Sequence, residues 1–200
     1  MFALREAESR MRALESELGA AHARMRHLET LIETDPLLDI LNRRGFEREL
    51  TRAMARVARY DGSAAIVFID LDHFKSTNDQ CGHLAGDAAL QMVSDTIVRS
   101  CRNSDVVARF GGDEFAVLLW NLTEQDAHAK ARSLEKRIDA LRVRLAAECV
   151  SVRASAGVAM LGGSDSPSQI IRRADADMYS RKTAKGRAPR HQLAALPAAC

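Results

Sequence analysis

Apolar residues recur at alternating spacings of three and four over the first 32 positions of the chain. Arg, Glu and His fill most of the positions between them, and the apolar set is Leu4, Ala7, Met11, Leu14, Leu18, Ala21, Met25, Leu28 and Ile32. This period is typical of a coiled coil, so the sequence predicts a parallel homodimer through a helix over residues 1–34. Two alanines in the seam leave an alternative, in which a single amphipathic helix packs on its own domain.

The pattern changes at Pro36, because proline disfavours helical conformation in the residue before it. Residues 35–190 are predicted to form one domain, and residues 191–200 a short tail. A continuous apolar run from Ala64 to Asp70 is expected of a central strand buried on both faces. Helices are predicted where apolar residues recur at helical spacing: Phe46, Leu50, Met54 and Val57 in a helix from about Asn42 to Arg59; Leu90, Val93 and Ile97; Leu134, Ile138, Leu141 and Leu145; and Ile171, Ala174 and Met178.

Two further strands flank a pair of glycines near the middle of the chain. The apolar stretches 106–108 and 115–119 lie on either side of Gly111 and Gly112, and glycine suits a tight hairpin turn because it tolerates positive φ. Alternation from Val150 to Val158 predicts another strand. Strands interleaved with helices, with one hairpin inside, predict an α/β sandwich whose helices cover a mixed central sheet.

Composition narrows the class of protein. The chain has 29 Lys and Arg against 27 Asp and Glu, and this balance suggests neither nucleic acid nor a membrane surface as a partner. Four widely spaced cysteines, with no Cys-x-x-Cys pair, are typical of reduced thiols rather than of a structural zinc site. Since no apolar run approaches the roughly 20 residues that cross a bilayer, the sequence predicts a cytoplasmic protein.

Carboxylates follow or begin the predicted strands. Asp70 ends the first strand, and Asp113 and Glu114 lie at the tip of the hairpin. If these strands are neighbours, the three acids converge at one end of the sheet and suit a hard cation such as Mg²⁺. Two metal ions that share these carboxylates would stabilise the attacking and leaving oxygens of a displacement reaction at phosphorus. The alternative for the hairpin tip is a solvated acidic turn.

Polar residues continue after Asp70. Asp72 is predicted to cap a short helix that runs through Asn78, and the backbone amides of His73 and Phe74 would then lie with the Lys75 ammonium at a positive helix end. Such an end is a phosphate-binding site. Asn78 and the later Asp87 can offer amide and carboxylate edges to a purine, whereas Asp79 is expected to be a solvated charge.

Taken together, these motifs resemble the GGDEF diguanylate cyclase family over about residues 35–187. The segments that carry the resemblance, in family order, are Phe68–Lys75, Asn78-Asp79, Gly82-His83, Gly86-Asp87, Arg109–Phe115, Ser155–Ala159 and Arg173–Asp175 with Tyr179. The resemblance implies the GGDEF (nucleotidyl-cyclase-like) fold and the condensation of two GTP molecules into cyclic di-GMP, with release of pyrophosphate, between two facing copies of the domain.

The resemblance also implies roles for single residues. Asp70, the backbone carbonyl of Leu71, Asp113 and Glu114 would hold two Mg²⁺ ions per active site, with Mn²⁺ as an alternative. Asp113 is the candidate acceptor of the ribose 3′-hydroxyl proton, although the sequence leaves the metal and base roles of Asp113 and Glu114 open. Lys75 would stabilise charge on the transferring phosphoryl group.

The remaining implied residues bind the nucleotide or the product. GTP would be bound by Asn78, His83 and Asp87 with Phe74, and its triphosphate by Lys182 and by either Arg187 or Lys185, because this chain has one more residue before Gly186 than the family pattern. His83 taken alone would be a turn histidine. Arg102 and Asp105 match the family's inhibitory product site, where Arg can contact a phosphate or a guanine edge.

One departure from the family falls at the joint between coil and domain. The chain has Asp35-Pro36-Leu37-Leu38-Asp39-Ile40 where the family usually has Asp-x-Leu-Thr-Gly-Leu, so the joint is expected to be set differently. Two other functions compete with an active cyclase: a non-catalytic GGDEF-fold effector that binds a nucleotide or cyclic di-GMP, and a plain coiled-coil interaction protein. Every essential acid is present, which favours the enzyme.

Overall fold

The computed structural model describes residues 33–60, 62–145, 148–162 and 165–184, together with scattered positions between 10 and 28. The chain divides into two compact units, Met1–Glu33 and Thr34–Cys200. No helix in these described stretches combines the length and the apolar character that crossing a bilayer requires.

The described positions between 10 and 28, in the first unit, are helical. They include five residues of the predicted seam, whose side chains are between 54 % and 62 % exposed: Met11, Leu14, Leu18, Met25 and Leu28. A row of exposed apolar side chains at this spacing is what one strand of a coiled coil presents to its partner. The dimer itself stays a prediction.

The second unit contains seven strands and five helices within its described residues. In chain order they are β1 (Leu41–Asn42), α1 (Arg43–Tyr60), β2 (Ala64–Leu71), α2 (Phe74–Cys81), α3 (His83–Ser100), β3 (Val106–Arg109), β4 (Glu114–Trp120), α4 (Glu124–Asp139), β5 (Arg142–Leu145), β6 (Glu148–Ser151), β7 (Ala154–Met160) and α5 (Pro167–Ala184).

Five of the strands form one mixed sheet in the order β1-β3-β4-β2-β7. β1 runs parallel to β3, and the other neighbouring pairs are antiparallel. β3 and β4 form the predicted hairpin, with Arg109 opposite Phe115. The predicted α/β fold with a mixed central sheet is therefore confirmed.

The central strand β2 is buried along its whole length because it packs against helices on both faces. Its side chains alternate, as strand geometry requires. Ala65, Val67, Ile69 and Leu71 belong to a core formed with residues of α3 and α4, whereas Ala64, Ile66 and Phe68 belong to a second core formed with residues of α1 and α5. Asp70 continues the second series, so the alternation directs it to the α5 side of the sheet.

Two predicted elements were wrong in their bounds. Helix α4 ends at Asp139, and Leu145 lies in β5. A spacing of four residues places side chains on one face of a helix and also on one face of a strand, so Leu141 and Leu145 could not distinguish the two. The strand predicted from Val150 to Val158 is two strands, because β6 pairs with β5 in a separate ribbon and β7 pairs with β2.

Carboxylates cover the outer edge of β7, which is the last strand of the sheet. The backbone amides of Ala154, Ala156 and Val158 donate to side-chain oxygens of Asp139, Glu135 and Asp177, respectively, at 2.8–2.9 Å. An edge strand with unpaired amides invites pairing with another chain, and these contacts satisfy alternate amides of β7. The edge beside the acidic end of β2 is thereby closed.

Helix α5 packs closely against β7 at Gly157. A Cβ at this position would lie 2.2 Å from both the carbonyl oxygen of Ala174 and the backbone nitrogen of Met178. We expect Gly157→Ala to lower the free energy of unfolding by about 3 kcal/mol, because backbone atoms cannot move aside as a flexible side chain can. Urea denaturation measures the loss, with Gly62→Ala as a control, since a Cβ there meets no atom within 4 Å. Equal stability of the two variants would contradict this packing.

Candidate active site

Three acids converge where β2 and β4 meet. Asp70 lies directly opposite Glu114 on one side and Ser155 on the other. The backbone amide of Leu71 donates to the carbonyl oxygen of Asp113 at 3.1 Å, so the tip of the hairpin is fastened to the end of β2. The prediction that these strands are neighbours is confirmed. Their carboxylates therefore share one end of the sheet.

Arg109 holds the turn of the hairpin. Its guanidinium donates to the carbonyl oxygens of Gly111, at 3.2 Å, and Gly112, at 2.8 Å, and pairs with Asp35 at 3.2 Å. Asp35 in turn accepts hydrogen bonds from the backbone amides of Leu37 and Leu38. The start of the domain and the tip of the hairpin are thus joined through one arginine, despite the departure of residues 36–40 from the family pattern.

Neither glycine of the turn adopts positive φ, and close packing requires a glycine at Gly111 but not at Gly112. Among the described glycines, positive φ occurs at Gly82, so the conformational reason predicted for Gly111 and Gly112 was wrong. A Cβ on Gly111 would lie 2.4 Å from a carboxylate oxygen of Glu114, which folds over the turn. A Cβ on Gly112 would meet no atom within 4 Å. Gly112 therefore leaves its side of the turn open to a ligand.

Burial, together with repulsion between neighbouring acids, raises the pKa of two carboxylates at this sheet end. Burial raises the pKa of Glu114 to about 7, and the neighbouring charges of Asp70, Asp113 and Asp175 add to the rise against a lowering by Arg43. Burial, followed by Asp70, also raises the pKa of Asp175. Asp175, from α5, is an acid for which the sequence predicted no role. It lies in the segment Arg173–Asp175 that carried part of the resemblance.

The raised pKa of Glu114 gives the metal-free protein a defined pH dependence. Between its ordinary pKa of 4.5 and the folded value of about 7, Glu114 is protonated in the folded state and ionised in the unfolded state. Its contribution to stability therefore falls as pH rises through this window. We expect the Tm of the wild type minus that of Glu114→Gln, measured by circular dichroism in EDTA, to fall across the window and to level off above it. A constant difference would contradict the raised pKa.

Asp72 does not cap a helix, which corrects our prediction. Helix α2 begins at Phe74 after His73, whose φ is 60° and which makes no side-chain cap bond. The carboxylate of Asp72 is buried instead, and it accepts a hydrogen bond from the Oγ of Ser155 at 3.1 Å. The left-handed conformation of His73 turns the chain between the strand and the helix, so Asp72 stays with the acids of the sheet end.

Lys182 lies among these acids. Its side chain is buried, its Nζ donates to Oδ2 of Asp70, and the same atom is 3.1 Å from Oδ1 of Asp72. The sequence carried a signal for this burial, since Lys182 continues the spacing of four that runs through Ala174 and Met178 on the buried face of α5. Arg187 and Lys185, the other triphosphate candidates, lie outside the described residues.

The donor set suits a hard divalent cation. Asp70, Asp113 and Glu114 offer carboxylate oxygens in a partly buried place, and their repulsion is the kind that such a cation relieves. Within the described ranges, no group of three or more His, Cys, Asp or Glu side chains is already arranged as a metal site. The ammonium of Lys182 is the cation that this structure places beside Asp70.

A second group of predicted residues lies on α2 and α3 and includes Asn78. The side-chain Oδ1 of Asn78 is buried and has no hydrogen-bond partner among the residues that the structure describes. It lies against Gly86, where a Cβ would be only 1.8 Å from this oxygen and 3.1 Å from the ring of Phe74. Asp87 is half-buried beside them in sequence, whereas Lys75 and His83 are exposed. The Oδ1 of Asn78 is therefore a buried acceptor to which no described residue donates.

Arg102 and Asp105 form a reciprocal turn just before β3. The amide of Arg102 donates to Oδ2 of Asp105 at 2.8 Å, and the amide of Asp105 donates to the carbonyl oxygen of Arg102 at 2.9 Å. Both residues line a cavity of about 370 Å³ whose wall also includes Ile40, Leu41 and Val98. The turn thus presents an exposed arginine beside a partly apolar hollow.

Comparison with known proteins identifies the domain. A family model described as "Diguanylate cyclase, GGDEF domain" matches residues 32–188. The chain belongs to this GGDEF family. The resemblance that the motifs indicated is therefore confirmed. The family is named after the sequence GGDEF, which is residues 111–115 of this chain, at the tip of the hairpin.

Relatives of this GGDEF chain have different activities. The diguanylate cyclase DgcP of Pseudomonas aeruginosa is 32 % identical over 175 residues, which are 88 % of this chain and 26 % of DgcP. The cyclic di-GMP phosphodiesterase NbdA of the same species is 36 % identical over 152 residues, which are 76 % of this chain and 19 % of NbdA. Since one relative is a phosphodiesterase, the shared region identifies the domain, and the reaction must be inferred from the site.

Solved GGDEF structures share the fold. The GGDEF domain of DgcB from Caulobacter crescentus, in complex with cyclic di-GMP, has a TM-score of 0.73 and 28 % identity, and the match covers 78 % of this chain and 92 % of that one. Diguanylate cyclase SiaD from Pseudomonas aeruginosa, in complex with its activator SiaC, has a TM-score of 0.73 and 30 % identity, covering 92 % and 70 % of the two chains.

Proposed function

We propose that this GGDEF chain is a diguanylate cyclase that condenses two GTP molecules into cyclic di-GMP and two pyrophosphates. The observation that carries the proposal is the convergence of Asp70, Asp113 and Glu114 at one sheet end, where Asp70 and Glu114 are direct cross-strand neighbours. Phosphoryl transfer needs charge stabilisation and positioning rather than a covalent intermediate on the protein, and a cluster of carboxylates that binds divalent cations supplies both.

Asp70, the carbonyl of Leu71, Asp113 and Glu114 would hold two Mg²⁺ ions. Such ions neutralise phosphate charge and polarise the attacking and leaving oxygens. Asp113 is our candidate acceptor for the 3′-hydroxyl proton, with Glu114 as the alternative at the same hairpin tip. Lys75 would then meet the transferring phosphoryl group from the exposed start of α2.

The buried oxygen of Asn78 suits a guanine base. It is an acceptor without a donor, and the N–H groups on the Watson–Crick edge of guanine are donors, whereas adenine offers an acceptor at the corresponding ring nitrogen. Asp87 would accept from the same edge, and His83 and Phe74 would complete the nucleotide site. Lys182 and Arg187 would bind the triphosphate.

Each such site holds one GTP, so the product requires a second domain. We propose that the exposed seam at Met11, Leu14, Leu18, Met25 and Leu28 pairs with its copy in a parallel coiled coil. Pairing would remove these apolar side chains from water and hold two domains on one axis. Light scattering at micromolar concentration tests this part, and a monomer would count against it.

The activity itself is tested by incubating the purified chain with GTP and Mg²⁺ and separating the nucleotides by chromatography. Cyclic di-GMP and pyrophosphate are the expected products. A dimeric chain that binds GTP or cyclic di-GMP and forms no product would instead support the non-catalytic effector.

We also propose that cyclic di-GMP inhibits the enzyme at Arg102 and Asp105. The exposed Arg102 beside a partly apolar cavity suits a ligand with phosphates and flat bases. We expect Arg102→Ala to raise the product concentration for half inhibition about tenfold, with little change in the initial rate. Arg99→Ala, which removes an exposed arginine one turn away on α3, is the control. Unchanged inhibition of Arg102→Ala would refute the site.

A further inference from the structure

Four buried side chains connect the acidic sheet end to α5. Asp70, Asp72, Ser155 and Lys182 are 4 %, 7 %, 0 % and 3 % exposed, respectively. Lys182 bridges the two carboxylates, and Ser155 Oγ donates to Asp72 at 3.1 and 3.2 Å to its two oxygens. Of these four, only Asp70 belongs to the proposed metal ligands. Asp72 and Ser155 are therefore buried at the site, but the proposed reaction assigns no role to either of them.

The position of Lys182 creates a conflict with a divalent cation. Its ammonium lies directly against Oδ2 of Asp70, one of the two oxygens that this side chain could offer to a metal. Two cations that share one carboxylate repel each other, and the repulsion is stronger in a buried place than in water, so the ammonium opposes binding of the metal. A buried ammonium that loses its partner is also costly, so Lys182 needs another anion when the metal takes Asp70.

Asp72 is that anion. It lies 3.1 Å from Lys182 Nζ, and its own orientation is fixed by Ser155 from the neighbouring strand β7. Because α5 packs against β7 at Gly157 without room for a methyl group, the backbone that carries Lys182 is held close to the strand that carries Ser155. The ammonium can therefore shift from Asp70 towards Asp72 by rotation of its own side chain.

We propose that Lys182 is an internal counter-ion that competes with the divalent cation for Asp70, and that Asp72, held by Ser155, is the positioning residue that retains the ammonium when the metal binds. The inference rests on the proposed function in one respect, the assignment of Asp70 as a metal ligand. It adds a group on the chain that sets metal affinity, and it keeps a positive charge beside the metal, where the phosphates of the nucleotide would lie.

The test measures binding of Mn²⁺ alone to the full chain by electron paramagnetic resonance, without nucleotide. Lys182→Gln removes the charge and keeps a donor for the two carboxylates, and we expect it to bind Mn²⁺ about tenfold more tightly than the wild type. Lys136→Gln, an exposed lysine of α4, makes the same change in net charge and should leave affinity unchanged. Unchanged or weaker binding by Lys182→Gln would overturn the competition.

Ser155→Ala tests the positioning role without a change of charge. Loss of the hydroxyl loosens Asp72, so the ammonium stays on Asp70 and Mn²⁺ affinity falls about threefold. In the Lys182→Gln background the same substitution should have no effect, because there is no ammonium left to hold. Equal effects in both backgrounds would overturn the positioning role. Asp72→Asn is expected to show the same coupling with a larger effect.

Two further measurements keep the outcome interpretable. If Lys182→Gln does not fold in thermal melts, the side-chain ¹⁵N resonance of the buried ammonium in the wild type replaces it: the signal is expected to shift as Mg²⁺ is added, and a signal unmoved at saturation would overturn the proposal. Cyclase activity is assayed separately. If the chain makes cyclic di-GMP but Lys182→Gln does not bind Mn²⁺ more tightly, only this inference is refuted. If Lys182→Gln binds Mn²⁺ more tightly but the chain makes no product, only the proposed function is refuted.

Discussion

Asp113→Asn is expected to lower the rate of cyclic di-GMP formation by about 10³-fold while the protein stays folded. An amide can neither accept the proton of the 3′-hydroxyl nor contribute negative charge to a metal site. The fold should survive, because the contact that fastens this residue to β2 uses its backbone carbonyl, which accepts from the amide of Leu71 at 3.1 Å. Chromatography of the products and circular dichroism measure the two parts of the prediction.

The matched control for this variant is Asp95→Asn. Asp95 is an exposed carboxylate on α3 that pairs with Arg99, so its replacement makes the same chemical change away from the sheet end. The control should keep the wild-type rate within about twofold. If Asp113→Asn retained a tenth or more of the wild-type rate, Asp113 would be neither the base nor an essential ligand, and the mechanism would have to pass through Glu114.

Gly86→Ala is expected to weaken binding of a non-reactive GTP analogue by about 100-fold. The added methyl would lie 1.8 Å from Oδ1 of Asn78 and 3.1 Å from the ring of Phe74, so the amide must leave its position. Removing the correctly placed acceptor leaves a donor of the guanine edge without its partner. Isothermal titration calorimetry with the analogue measures the effect.

A double substitution separates displacement of Asn78 from a general disturbance of α3. If Gly86→Ala acts through Asn78, then Gly86→Ala with Asn78→Ala should bind the analogue no more weakly than Asn78→Ala alone. Gly62→Ala adds a methyl group where no atom lies within 4 Å and should bind like the wild type. Full affinity of Gly86→Ala would show that Asn78 does not contact the base.

Much of the fold follows from local pattern. The run from Ala64 to Leu71 predicted a strand buried on both faces, and the structure places β2 between two helical layers. The glycine pair between apolar stretches predicted the hairpin, whose register is now observed. Hydrophobic spacing failed at Leu141 and Leu145, because an interval of four residues fits a strand as well as a helix.

Much of the site could also be predicted, because its residues lie in short motifs. Asp70, Asp113 and Glu114 were expected to converge, and strand pairing brings them together. Asp72 was mistaken for a helix cap because Asp commonly caps helices, and its sequence neighbours give no sign of Ser155, which lies 83 residues away. The role of Gly111 was likewise hidden, since it depends on where the side chain of Glu114 folds.

The sequence by itself determined which side chains could do chemistry and at which strand ends they lie, because alternation and turn chemistry act over a few residues. Only the tertiary structure decided which charges face each other. Lys182 meets Asp70 across 112 residues of chain, and no local pattern encodes the packing of α5 on β7 that brings them together. Burial then strengthens the attraction between Lys182 and Asp70, because charges held out of water interact far more strongly than charges in water.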